Sequence, residues 1–402
     1  MAPFLIVPVL LVTSFYLAWF GVENVTDSLA YLGCFTGLLM VITATVCILG
    51  ALGTLDHWYS HRFEISGLLA LFGSVTALVA NAMLLVATVR EGIESVPYFV
   101  TWGLLAVASG WSCYVVYHTS VVIPSPKKVA VAASATAVIA MANFGYTQLY
   151  QPYHEEPRPI LDAKFGSPTL SADRKTFSVP ITLSVEVRGN VGVYLVGDQF
   201  VVYGRRVTTR SSGHSAPDWR HDSTDGQAEL SRWTEMRTEP IEIGRWDLFG
   251  SWEDPGVPRS TTRLVQLPVD TPYDQLGVRA EFVSVRRDRV RLEPAFGSSA
   301  QYSWQDFRNQ RCGSGPGDCV RYRGRVAESN SVARHTRDPR YLTLWWNFGP
   351  TLGTVGLEST IARRGDVDRS MSSEESSRLW SRYGLEKVTA SATFRSLLDI
   401  KH

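Results

Sequence analysis

The sequence contains five windows without a single Asp, Glu, Lys or Arg: Ala2–Val22, Ser28–Leu55, Ile65–Val89, Ser95–Pro126 and Val129–Tyr153. No other feature restricts the fold as strongly. A helix advances about 1.5 Å per residue and a bilayer's hydrocarbon core is about 30 Å thick, so about 20 apolar residues cross it. Every window reaches that length. Inside lipid the backbone must satisfy its own hydrogen bonds, which makes each window a helix. The windows predict spans over 3–21, 28–54, 66–89, 97–117 and 129–149. The first is not a secretory leader in this reading. It has no basic n-region and ends in Tyr16, Trp19 and Phe20, residues suited to a membrane interface.

Charge divides the chain a second way. Residues 1–153 hold four basic side chains (Arg62, Arg90, Lys127 and Lys128) and six acidic ones, against 35 basic and 32 acidic in the rest. The expected domains are therefore a five-helix transmembrane domain over 1–149, a Pro-rich linker over 150–159 and a soluble domain over 160–402. The balanced charge of the soluble part excludes a nucleic-acid surface. Among the short loops, Arg62 lies in the second and Lys127 and Lys128 in the fourth, against Arg90 alone in the third. Positive-inside bias then places the N-terminus in the cytoplasm and the domain after five crossings outside the cell membrane. Asn24-Val25-Thr26 is a glycosylation sequon on an outside loop, too near the membrane for modification to be expected.

The spans are rich in small residues, including the Gly33-x3-Gly37 pair. Such faces let helices approach closely, either within one bundle or between copies in a homo-oligomer. Charges inside a membrane usually mark ion or proton pathways, and the spans carry none. His57, His61 and His118 are expected at one membrane edge, as interfacial anchors or as imidazole ligands for haem or a metal.

From residue 160 onward β signals dominate. "TFSVPITLSVEVRG" alternates apolar and polar residues, and "VGVYLVGDQFVVYGRRV" reads as two strands around Gly197-Asp198. Further alternating runs separated by turn residues predict a mainly-β, sandwich-like domain, either one elaborated sandwich or two small ones. One late helix is expected between a capping box at Ser372/Glu375 and a stop at Gly384, with a final strand after it.

The most polar segment gathers His214, Asp218, His221 and Asp222, an imidazole and carboxylate set that can take a metal such as zinc or calcium. Its spacing fits neither a zincin helix nor an EF-hand, and a solvated loop is the plain alternative. Trp219 within it is the candidate for stacking on a sugar, while Trp345 and Trp346 read as core. No nucleophile elbow or phosphate loop is present, so an enzyme is not expected. Cys312 and Cys319 bracket a Gly-rich loop with no metal partners nearby. In an oxidising compartment they form a disulfide that closes a hairpin tip, worth about 2.5 kcal/mol through loop entropy.

The expected protein is a multipass membrane protein whose bilayer-embedded helices carry an extracytoplasmic β domain. That domain binds an envelope glycan or a protein partner and needs no cofactor. The alternatives are a channel or small-solute permease capped by the β domain, and a metal-dependent extracytoplasmic enzyme centred on His214 to Asp225.

Overall fold

The structure is a computed structural model. It describes residues 2–27, 31–90, 94–119, 157–189, 191–209, 216–217, 220, 233–246, 250–292, 318–338, 340–349, 352–363 and 372–397. The chain forms two compact units. The first joins the N-terminal helices with Arg287–Arg291 and Val326–Arg340, and the second holds the remaining β structure.

Four helices make up the first unit's core: α1 (Ala2–Asp27), α2 (Tyr31–Leu55), α3 (Ser66–Arg90) and α4 (Val96–His118). Each is long and apolar enough to cross a membrane. The expected fifth span, 129–149, lies outside the described residues. Pro97 opens α4 where a missing N–H costs nothing. A five-residue π-helical turn, Asp56–Ser60, follows α2. Polar side chains inside the bundle mostly bond their own preceding turn, as Thr54 does to Gly50 O, Ser74 to Ala70 O and Thr88 to Leu84 O. Large apolar residues such as Phe4, Phe15, Leu52, Leu104 and Val107 point outward, as a lipid-facing surface requires.

Small residues set the helix spacing. A Cβ on Gly37 would lie 2.6 Å from Gly21 O, so this half of the Gly33–Gly37 pair is spent on α1 of the same chain. Between α2 and α3, a Cβ on Gly50 would come 2.6 Å from the Cα of Gly73, and the reverse holds.

The second unit is built on a sandwich. Its first sheet has β3 (Thr176–Arg188) at the centre, with β1 (Arg158–Phe165) and β2 (Thr169–Leu170) on one edge and β7 (Arg259–Pro268) on the other. The second runs β13 (Glu386–Ser396), β8 (Gln275–Arg286), β4 (Val193–Thr209), β5 (Trp233–Gly244), with the short β6 (Ser251–Glu253) also on β4. The alternation read from "TFSVPITLSVEVRG" is the burial pattern of β3. Phe177, Val179, Ile181, Leu183, Val185 and Val187 all face the core shared with Phe200, Val202, Val278 and Phe282.

A third sheet, β12 (Gly356–Arg363), β11 (Arg340–Phe348), β10 (Asp318–Glu328), β9 (Val290–Leu292), covers the other face of the second sheet. Trp346 Nε1 donates to Asp198 O at 2.9 Å, and the Leu357 N–H to Glu281 Oε2 at 3.0 Å. Trp345 and Trp346 are buried, as expected. The β region is thus one elaborated sandwich. Covered on both faces, β8 is buried along nearly its whole length. The described residues also include two short helices, α5 (Ser331–Thr336) and α6 (Ser373–Tyr383), the latter with the expected capping box and the left-handed stop at Gly384.

One expectation is corrected. Gly197-Asp198 is not a turn, and β4 runs straight through it with a bulge between Leu195 and Gly197. A Cβ at Gly197 would sit 3.1 Å from Leu344, so glycine serves packing there. Asp198 serves as a buried acceptor for the Trp246 N–H at 2.6 Å and for Arg245 at 3.2 Å.

Gly73→Leu should overpack the α2–α3 contact and lower stability by about 1–3 kcal/mol. Gly103→Ala, where a Cβ meets nothing within 4 Å, should cost nothing. Thermal unfolding of the purified chain in detergent compares the two.

Candidate functional site

A cluster of ion pairs lies where α1 ends and α4 begins. Glu23 and Asp27 occupy the last turns of α1, which carries no basic residue there. Carboxylates at a helix C-terminus oppose the helix dipole, so the sequence leaves this end short of positive charge. Arg287–Arg291 and Val326–Arg340 supply it. Arg291 Nη1 and Arg334 Nη1 both reach Asp27 Oδ2, at 2.8 and 3.0 Å. His335 Nε2 lies 2.8 Å from Glu23 Oε2, and Trp19 Nε1 donates to Glu23 Oε1 at 2.9 Å.

At the start of α4, Glu94 pairs with Arg340 and accepts the Asp338 N–H at 3.2 Å. The side chains of Glu94 and Arg340 are only 6% and 10% exposed. Behind them Arg337 bonds Glu328 at 2.5 Å.

The seating of α5 is equally specific. Asn330 caps it by accepting the Val332 N–H at 2.9 Å. Asn24 of α1 accepts the next free donor, Ser331 N, at 2.9 Å, and Ser331 Oγ donates to Phe20 O at 2.9 Å. Val332 packs against the helical core. Asn24, the sequon residue, is therefore 3% exposed and committed to α5.

A second polar node lies inside the bundle. Asn81 of α3 donates to Thr13 Oγ1 of α1 at 3.0 Å and to Ser109 Oγ of α4 at 3.2 Å, tying three helices together. Its Oδ1 is buried without a hydrogen-bond partner, as is Trp102 Nε1.

The residues singled out from sequence fare unequally. His214, Asp218, Trp219, His221, Asp222 and Cys312 lie outside the described residues. Cys319 is the second residue of β10, and the free thiols among the described residues are Cys34, Cys47 and Cys113. His57 and His61 have ring centroids 6.4 Å apart, while the His118 ring lies tilted against Tyr114 at 4.4 Å. Among the described residues no three His, Cys, Asp or Glu gather as a metal set. Sequence reading missed the clamp at the helix ends. Its trace is there: Glu23 and Asp27 end the first span with no base beside them, Glu91 and Glu94 outnumber Arg90 in the third loop, and two connectors, "RRDRVR" and "ARHTRDPR", are dense in Arg.

No family model matches the sequence, and no curated protein matches it. A Bordetella pertussis protein described as ApaA shows a partial likeness in its crystal structure, at 9% identity and a TM-score of 0.19, covering 33% of this chain and 82% of that one. A structural-genomics X-ray structure shows another, at 8% identity and a TM-score of 0.18, covering 33% of this chain and 74% of that one. Neither likeness is close enough to bear on fold or function. The four apolar helices mark the chain as a membrane protein.

Removing one partner of a buried ion pair strands the other charge, which typically costs about 3–5 kcal/mol. Glu94→Ala should show a loss of that order in detergent unfolding. Glu374→Ala, which removes an exposed pair with Arg378 on α6, should shift stability by about 0.5 kcal/mol or less.

Proposed function

We propose that the helices anchor an extracytoplasmic β domain in the cell membrane, and that this domain binds an envelope component or a partner protein without catalysing a reaction. The observation that carries this reading is the clamp. The connectors 287–291 and 326–340 are seated where α1 ends and α4 begins, the membrane face of loops one and three. Loop charges favour that face as the outside. Four crossings return the chain to the opposite face at His118, so this topology requires the expected fifth crossing over 129–149. In that oxidising compartment Cys312 and Cys319 form the proposed disulfide. A helical unit that binds Arg287–Arg291 and Val326–Arg340 to its own ends through four charge contacts suits an anchor. The absence of charge inside the spans argues against ion-coupled transport.

A second reading, a channel or permease for a small neutral solute, is favoured by the Asn81 node. An unpaired carbonyl oxygen in hydrocarbon is costly and invites a hydrogen-bond donor.

A membrane-impermeant maleimide should label Lys175→Cys, in an exposed β turn, on intact cells. It should label Glu64→Cys, between α2 and α3, only after permeabilisation. The reverse pattern removes the proposed orientation. A photo-crosslinking residue at Leu264, on the solvent face of the first sheet, should capture the envelope component or partner. If Leu264 and the exposed Trp252 both yield no adduct while liposomes show solute flux abolished by Asn81→Leu, the channel reading replaces binding.

A further inference from the structure

We propose that the Asn81 node is a binding site, inside the four-helix unit, for one small neutral hydroxyl molecule, either water or a small alcohol. The inference rests on the same node as the channel reading and names the class of molecule that node takes. Occupancy and passage are separate properties, so the site is judged on binding alone.

Thr13, Asn81 and Ser109 are each 0% exposed. The Asn81 amide donates to Thr13 Oγ1 and to Ser109 Oγ, and its Oδ1 accepts nothing. An amide oxygen in hydrocarbon has lost its water partners, which is costly when nothing replaces them. The two hydroxyls are incomplete as well. Thr54, Ser74, Thr88 and Ser112 each donate to the carbonyl four residues earlier. Thr13 and Ser109 instead make only the bond to Asn81, in which they accept, so each keeps a proton to give.

The node therefore offers one open acceptor and two unused donors around a single amide. A group that donates once and accepts from the others is a hydroxyl. Buried waters make about three hydrogen bonds to groups otherwise unsatisfied, the number offered here. Turning the amide round keeps the class. Its oxygen then takes the two hydroxyl protons, its NH2 is left open, and a hydroxyl oxygen accepts from that group too. Other ligands fit worse. An ether or a ketone lacks the donor that Oδ1 requires. A hard metal cation needs several oxygens, and one is open. An anion needs a positive charge, and the apolar windows of α1, α3 and α4 hold none.

Trp102 Nε1 is also buried without a partner. It stands two turns before Ser109 on the buried face of α4, about 10 Å along the axis. The rings of Tyr16, Phe20 and Tyr98 surround it. A ring face can take an N–H, so this group lies outside the site.

Water-edited solid-state NMR of the full chain in liposomes, with isotope-labelled Asn, Thr and Ala, tests the site. In plain buffer, transfer from water to Asn81 Cγ and Thr13 Cβ should be several-fold faster than to Cβ of Ala44, a buried apolar residue of α2. A second arm uses glycerol in heavy water. Transfer from its carbon-bound protons to the same two carbons identifies an alcohol as occupant. Water transfer that glycerol does not reduce identifies water. Either result supports the site, and equal transfer to Asn81, Thr13 and Ala44 in both arms overturns it. Asn81→Leu fills the node with an apolar side chain and should abolish the Thr13 signal; a signal that survives also overturns the site. The wild-type comparison is decisive even where the variant inserts poorly. Liposomes without solute flux would remove the channel reading and leave the site in place, whereas a dry Asn81 removes the site even where flux is found.

Discussion

Hydrocarbon tolerates almost no uncompensated charge, and this constraint orders the whole protein. It empties four helices of Asp, Glu, Lys and Arg across their centres and drives every ionic contact with them to their ends. At one end the acids of α1 and the residue before α4 meet arginines drawn from far along the chain. Within the helices, most hydroxyls bond their own backbone, and glycine spacing replaces apolar attraction as the source of close packing. Two polar residues reach across instead: Ser14 donates to Ala44 O of α2, and Asn81 spends its donors on two neighbouring helices.

Outside the bundle the usual rules return. β3 alternates with a period of two because one face meets a core and the other meets water. β8 abandons alternation because sheets cover both of its faces. Burial on that scale brings polar groups inside, and the carboxylates among them are paired: Asp198 with Arg245 and the Trp246 N–H, Glu281 with Lys387, Arg279 and the Leu357 N–H.

Much of this was legible in the sequence where the signal is local. Charge-free length announces a spanning helix, a Ser-x-x-Glu box with a later Gly announces α6, and strict alternation announces β3. What was not legible depends on partners distant in sequence. Gly197-Asp198 has the composition of a turn, and only the packing of Leu344 and the approach of Trp246 reveal a strand. Arg334, His335 and Arg340 look like a solvated connector until their partners are seen to be the ends of α1 and α4. The third sheet was invisible as a layer, because its strands carry ordinary alternation and nothing local states which face they cover.

The helical unit is assembled from three stretches of chain, and Asp27 meets Arg334 across 307 residues. During synthesis the N-terminal helices emerge and insert long before their closing arginines exist. Their acidic ends must wait, exposed to water and to the insertion machinery, until most of the polypeptide has been made. Assembly of the membrane part is therefore coupled to completion of the β part. A chain truncated before residue 330 would lack Arg334, His335 and Arg340 and so leave helices in the bilayer with their acidic ends open.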